Sequence, residues 1–194
     1  MVRELVIASL LATPAVASNS DEVTVLVFNY SEAPAAVLGA AELEVTAIYD
    51  RAGVVLKWLS CAGLPDLAEA SVCAQKLGPG GRALALRIVP YLAIDPRNAA
   101  KNGSNVLGYS TGVYTTVSYG QSWKVSVMTG ETKEHVLACA IAHELGHVFL
   151  GAESHSHLGL MQADAKSMLR ATRQGFGFSD GESVRLSRYF AGHD

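Results

Sequence analysis

The 194-residue chain predicts a single α+β (or α/β) domain: a mixed, twisted sheet backed by two long helices, with an irregular C-terminal part and a final helix. Three observations carry this. Runs rich in β-branched residues at 22–30, 54–59 and 83–89 surround one helical pattern, giving the order strand, helix, strand, strand. Residues 136–150 are apolar almost all round, as a helix is when its domain encloses it. Composition is 49% hydrophobic and 17% charged, enough for one sizeable core, and no linker divides the chain.

Taken in order, Glu22–Tyr30 (EVTVLVFNY) has strand composition. Ala33–Arg51 reads as a helix, with Pro34 suited to its first turn and an apolar stripe from Val37 to Ile48. Gly53 stops it, and Val54–Leu59 follows as a second strand. A strand-helix-strand opening favours parallel pairing of these two strands. Residues 60–80 form a connection with one helical turn around Leu67–Ala74, closed by the turn cluster Gly78-Pro79-Gly80-Gly81. Ala83–Val89 is a third strand, ended by Pro90, and Tyr91–Ser104 reads as a surface loop. Val106–Tyr119 alternates like an edge strand, with Gly108–Ser118 its best part, whereas Gln121–Met128 has no decisive pattern. Thr132 is a good N-cap for the apolar helix, with Glu134 favourable in its first turn. Ser179-x-x-Glu182 is a capping box, after which Val184, Leu186, Tyr189 and Phe190 form a final amphipathic helix.

Residues 1–17 have the form of an export signal: Arg3, the apolar run Leu5–Ala12, and the small residues Ala15-Val16-Ala17 for cleavage, leaving 18–194 as the domain. A secreted or periplasmic location follows as an expectation. No later run is long enough to span a membrane. The net charge of −3, without a basic run, gives no sign of a nucleic-acid or anionic-membrane partner. Cys61 and Cys73, twelve residues apart, can close a small loop in an oxidising compartment, worth roughly 3 kcal/mol. Cys139, inside the apolar helix, reads as a free core residue.

The most informative stretch is HELGHVFLGAESHSHLGLM, residues 143–161. His143 and His147 are four apart, so on a helix both imidazoles reach one zinc ion. Glu144 stands beside the first of them, placed to act as general base toward an attacking water. Catalytic zinc usually takes three protein ligands, so a third must come from beyond the helix, which Gly151 ends. His155, Glu153 and His157 all lie within reach, with His155 the first choice: four residues past the glycine, it has the chain length to turn back.

These residues resemble the metzincin clan of zinc metallopeptidases, whose pattern is His-Glu-x-x-His-x-x-Gly-x-x-His followed by a methionine-containing turn. His143, Glu144 and His147 match the ligand pair and the base, and Met161 in Gly159-Leu160-Met161 looks like the turn methionine. The local run is also similar to secreted bacterial proteins of this type. The pattern departs at the third ligand. The clan's glycine and histidine positions fall on Leu150 and Glu153, so the turn carries one or two extra residues. The resemblance implies a metal site of His143, His147 and His155, Glu144 as catalytic base, zinc as cofactor, and a peptide or protein substrate. Tyr109, Tyr114 and Tyr119 would border its cleft. Two other classes remain open: an inactive zinc-binding module that binds a protein partner, and a zinc hydrolase of non-peptide amides.

Overall fold

Strand β1 (Glu22–Asn29) sets the layers of the molecule by alternation. Val23, Val25 and Val27 point to one face and join the main core; Leu26 and Phe28 point to the other. In the computed structural model, which describes residues 22–61, 73, 77, 83–92 and 106–191, the first face is covered by helices. The opposite face packs against Cys61 and Cys73, which are joined as a disulfide with a sequence separation of 12. The export-like segment, the turn around 67–72, the 78–81 cluster and the loop at 93–104 lie outside the described residues.

Helix α1 (Ala35–Asp50) crosses from β1 to β2 (Val55–Ser60), and the two strands pair in parallel, Val25 opposite Trp58. The helix begins one residue after Pro34, whose ring fixes the entry dihedral and donates no hydrogen bond. β3 (Ala83–Val89) pairs in parallel on the other side of β1.

The single edge strand expected over 106–119 is instead a hairpin. β4 (Gly108–Thr111) and β5 (Tyr114–Ser118) pair antiparallel across a turn at Gly112-Val113, with Gly112 at φ 57°. The sheet order is β2-β1-β3-β5-β4, so within the hairpin β4 lies at the edge, at the far side of the sheet from the β2 edge, and β5 is interior. The alternation was real, but Gly112 reverses the chain in the middle of it.

Residues 121–128 fall within helix α2 (Tyr119–Thr129), capped by the Ser118 hydroxyl, which accepts from the Gln121 amide. The long buried helix α3 (Lys133–Leu150) follows directly. Thr132 caps it by accepting from the His135 amide at 3.2 Å. Tyr49 locks α1 to α3: its hydroxyl donates to the Ala142 carbonyl at 3.0 Å, and its ring packs edge-on against Phe149 and Phe178.

The C-terminal part holds two helices, α4 (Ala165–Arg173) and α5 (Asp180–Ala191). The Asp164 carboxylate caps α4, a helix the sequence pattern did not reveal. α5 opens on the expected capping box, the Ser179 amide donating to Glu182 Oε2 at 2.7 Å and the Glu182 amide to Ser179 Oγ at 3.3 Å. Leu186 anchors α5 in the core, but Val184 is half exposed and lies off the apolar stripe.

Candidate metal centre and cleft

α3 presents His143 and His147 on one face, one turn apart. Their Nε2 atoms stand 3.1 Å from each other. His143 Nδ1 lies 2.9 Å from the Leu160 carbonyl, and His147 Nδ1 lies 3.3 Å from the Gly151 carbonyl and 3.1 Å from Ser154 Oγ. A carbonyl only accepts, so each Nδ1 carries the proton and each Nε2 is left with its lone pair. Two lone pairs facing one another at this distance repel unless a cation lies between them. Zinc bonds of about 2.0–2.1 Å at a tetrahedral angle put two nitrogens about 3.3–3.4 Å apart, close to the separation here. The donor pair fits a metal ion, and the carbonyls hold both rings in the tautomer it needs.

Burial pushes the His143 imidazole down to about 4, the neighbouring imidazoles of His147 and His155 adding to the effect. His147 is lowered too, by burial first, with the carboxylate of Glu153 acting the other way. Both rings are therefore neutral at physiological pH, as ligation requires.

The helix ends at Gly151, as expected, but in an extended conformation (φ 97°, ψ 159°) open to glycine and not in a compact left-handed cap. The chain leaves outward and returns through a tight turn, the Ser154 amide donating to the Gly151 carbonyl. This return brings the His155 ring to 4.7 Å from the His147 ring and 5.3 Å from the His143 ring. One ring nitrogen of each of the three histidines lies within 4.8 Å of the other two. Glu153 and His157 are exposed and belong to no three-donor cluster among the described residues.

Met161 lies beneath this group, fully buried. It fits because residue 146, inside the His-Glu-x-x-His pattern, is glycine: a Cβ there would stand 2.6 Å from the Met161 sulfur. The backbone around Met161 also serves the site, since the Leu160 carbonyl orients His143.

Glu144 lines a cleft of about 570 Å³ with His143, His147, His155 and residues 106–110 of the β4 edge. Burial raises its carboxyl to about 7, against a hydrogen bond from Ser110 that favours the charged form. Ser110 Oγ lies 2.6 Å from the Glu144 backbone carbonyl and 3.2 Å from its Oε2, and pairs with Thr115 Oγ1 across the hairpin at 3.2 Å. Gly108 lets the two elements approach, because a Cβ there would meet Glu144 Cγ at 2.7 Å. Nothing in the linear run Gly-Tyr-Ser-Thr marks Ser110 or Gly108 for this role; it exists only through hairpin register. The far wall is made by residues 162–165 and Met168, at the start of α4. Of the three tyrosines expected at the cleft, only Tyr109 lines it. Tyr114 lies under the Arg87 guanidinium at 5.8 Å, and Tyr119 packs on the core.

Edge strand, cleft and motif-bearing helix sit together in one α+β architecture. The solved structure of archaemetzincin from Methanopyrus kandleri is similar to it in fold, with a TM-score of 0.57 and 15% identity, covering 90% of this chain and 99% of that one. No family model matches the chain, and no curated protein matches its sequence.

Proposed function

We propose that this protein is a zinc-dependent metallopeptidase, with the ion held by His143, His147 and His155 and with Glu144 as general base. The observation that carries the reading is the pair of imidazole Nε2 atoms 3.1 Å apart with both Nδ1 atoms turned to acceptors. When bound, zinc supplies a Lewis acid that polarises a scissile carbonyl and makes water acidic enough to attack near neutral pH.

The remaining work falls to the chain itself. Glu144 accepts the proton of the attacking water, a role that suits a carboxyl raised to about 7. It then passes that proton to the leaving nitrogen. Ser110, on the edge strand, holds the Glu144 carboxylate in one orientation through the cycle. Among the described residues β4 ends the sheet, so an extended peptide can pair with its outer edge and lie along the cleft. Gly108, Tyr109 and Ser110 would then contact substrate backbone on one side and catalytic groups on the other.

The export-like residues 1–17 and the Cys61–Cys73 disulfide support a secreted or periplasmic setting. No helix among the described residues is long and apolar enough to cross a membrane. A retained general base favours hydrolysis over a binding-only module, for which Glu144 would serve no purpose. The test is Glu144→Gln, which should keep one equivalent of zinc and lose cleavage of an unfolded protein substrate. Cleavage at the wild-type rate would remove Glu144 from the mechanism, and a wild type inert against a broad peptide library would favour the binding module.

A further inference from the structure

α3 carries a potential metal donor at every fourth position from 135: His135, Cys139, His143, His147. The last two face the cleft, whereas the first two face α1 and α4. Glu44 of α1 meets them, its Oε1 2.5 Å from His135 Nδ1. Cys139 Sγ lies 3.9 Å from that nitrogen and 3.7 Å from Nε2. Thr172 of α4 stands behind, its Oγ1 3.1 Å from the sulfur and 3.4 Å from His135 Nε2. One donor atom from each of Glu44, His135 and Cys139 falls within 4.8 Å of the other two. Cys139 is fully buried, yet it faces an imidazole and a hydroxyl, an odd setting for a thiol placed only to fill apolar space. The side chains of His135 and Glu44 keep 15% and 35% of their exposure, leaving an entry for an ion and room for a water ligand.

We propose that Glu44, His135 and Cys139 form a second cation site, selective for zinc-class ions and independent of the cleft. A nitrogen, an oxygen and a thiolate make the mixed donor set such ions favour. The ion replaces the proton shared by Glu44 and His135 at Nδ1, and Cys139 loses its thiol proton. Two protons leave for one divalent ion, so the charge of the cluster is unchanged and no net charge is buried. His135 Nε2–H is left to donate to Thr172 Oγ1. Zinc bonds of about 2.0–2.3 Å place ligand pairs about 3.3–3.6 Å apart. The sulfur–nitrogen spacing is already within a few tenths of an ångström of this. The carboxylate must withdraw by about 1 Å, which the partly exposed Glu44 side chain can do. The site would tie α1 to α3 at the end of α3 opposite the cleft histidines.

Cobalt(II) titration of the metal-free full chain, with Cys61–Cys73 kept oxidised, tests this. Two equivalents should bind, with a thiolate-to-cobalt charge-transfer band in the near ultraviolet. That band should survive in a His143→Ala/His147→Ala variant and vanish in Cys139→Ser. Glu44→Gln, at a partly exposed position, should weaken the second equivalent at least tenfold even if the cysteine variant does not fold. Saturation at one equivalent without the band, a band that persists in Cys139→Ser, or unchanged affinity in Glu44→Gln would each overturn the proposal. Failure of the cleft to bind metal would leave the band intact, so the two sites stand or fall separately.

Discussion

Replacing Gly146 by alanine tests the packing beneath the cleft with a single methyl group. In an ordinary helix the change stabilises by about 1 kcal/mol, because glycine loses more backbone freedom on folding. Here the new Cβ would stand 2.6 Å from Met161 Sδ, 3.2 Å from its Cε and 3.3 Å from a ring carbon of Phe178. Carbon atoms in good contact stay about 3.5–4.0 Å apart, so the sulfur must withdraw by about 1 Å. Met161 has no exposed surface and cannot swing into solvent. Overpacking of this kind costs about 1–3 kcal/mol. The clash outweighs the propensity gain, for a net loss of up to about 2 kcal/mol, or a melting temperature lower by up to about 8 °C in a domain of this size. A second effect follows through the backbone. Displacing Met161 disturbs the Leu160 carbonyl that orients His143, and loss of such a partner lowers zinc affinity about 10–100-fold. Thermal melts and chelator competition on Gly146→Ala, Met161→Ala and the double variant form a complete cycle. Met161→Ala alone should cost about 2–5 kcal/mol, and adding Gly146→Ala to it should cost nothing further, since the room now exists. A single Gly146→Ala variant that melts higher than wild type and binds zinc equally well would refute this reasoning.

Ser110→Ala should retain zinc and lower kcat/KM by roughly 10–100-fold, the worth of one hydrogen bond to a charged group; Ser110→Thr should restore most of it, and equal loss in both variants would remove the hydroxyl from the explanation. His155→Ala should empty the cleft site in a chelator competition, whereas Glu153→Ala and His157→Ala should leave it largely filled; the reverse order would make a glutamate the third ligand. Reducing Cys61–Cys73, or replacing both residues by serine, should destabilise by about 3 kcal/mol for a loop of this length, seen as a lower denaturation midpoint; an unchanged midpoint would show that the bridge contributes no net stability.

Patterns with short range were legible in the chain. The apolar surround of α3, the Thr132 cap, the Ser179–Glu182 box, the β1-α1-β2 unit and the Cys61–Cys73 pair all depend on neighbours within a few residues or on loop length, and each appears in the structure. Where a single glycine or hydroxyl governs, the sequence pattern is weaker. Gly112 splits an apparently continuous alternation into a hairpin, the Ser118 cap turns an indecisive segment into α2, and Asp164 starts a helix in a stretch without apolar period.

The sequence by itself supplied the pattern on which the proposed chemistry rests: two histidines and a carboxylate at helical spacing, a glycine that ends the helix, and three candidate third donors beyond it. It ranked His155 first among those donors on chain length alone, whereas the path of the chain after Gly151 depends on the fold, in which the extended glycine and the Ser154 turn bring the His155 ring beside the pair. Only the tertiary structure placed Ser110 against Glu144, Met161 under Gly146, and Glu44 beside His135 and Cys139. Those contacts join residues 15 to 95 positions apart, and their existence rests on strand register and helix packing, which are properties of the whole core and not of any segment.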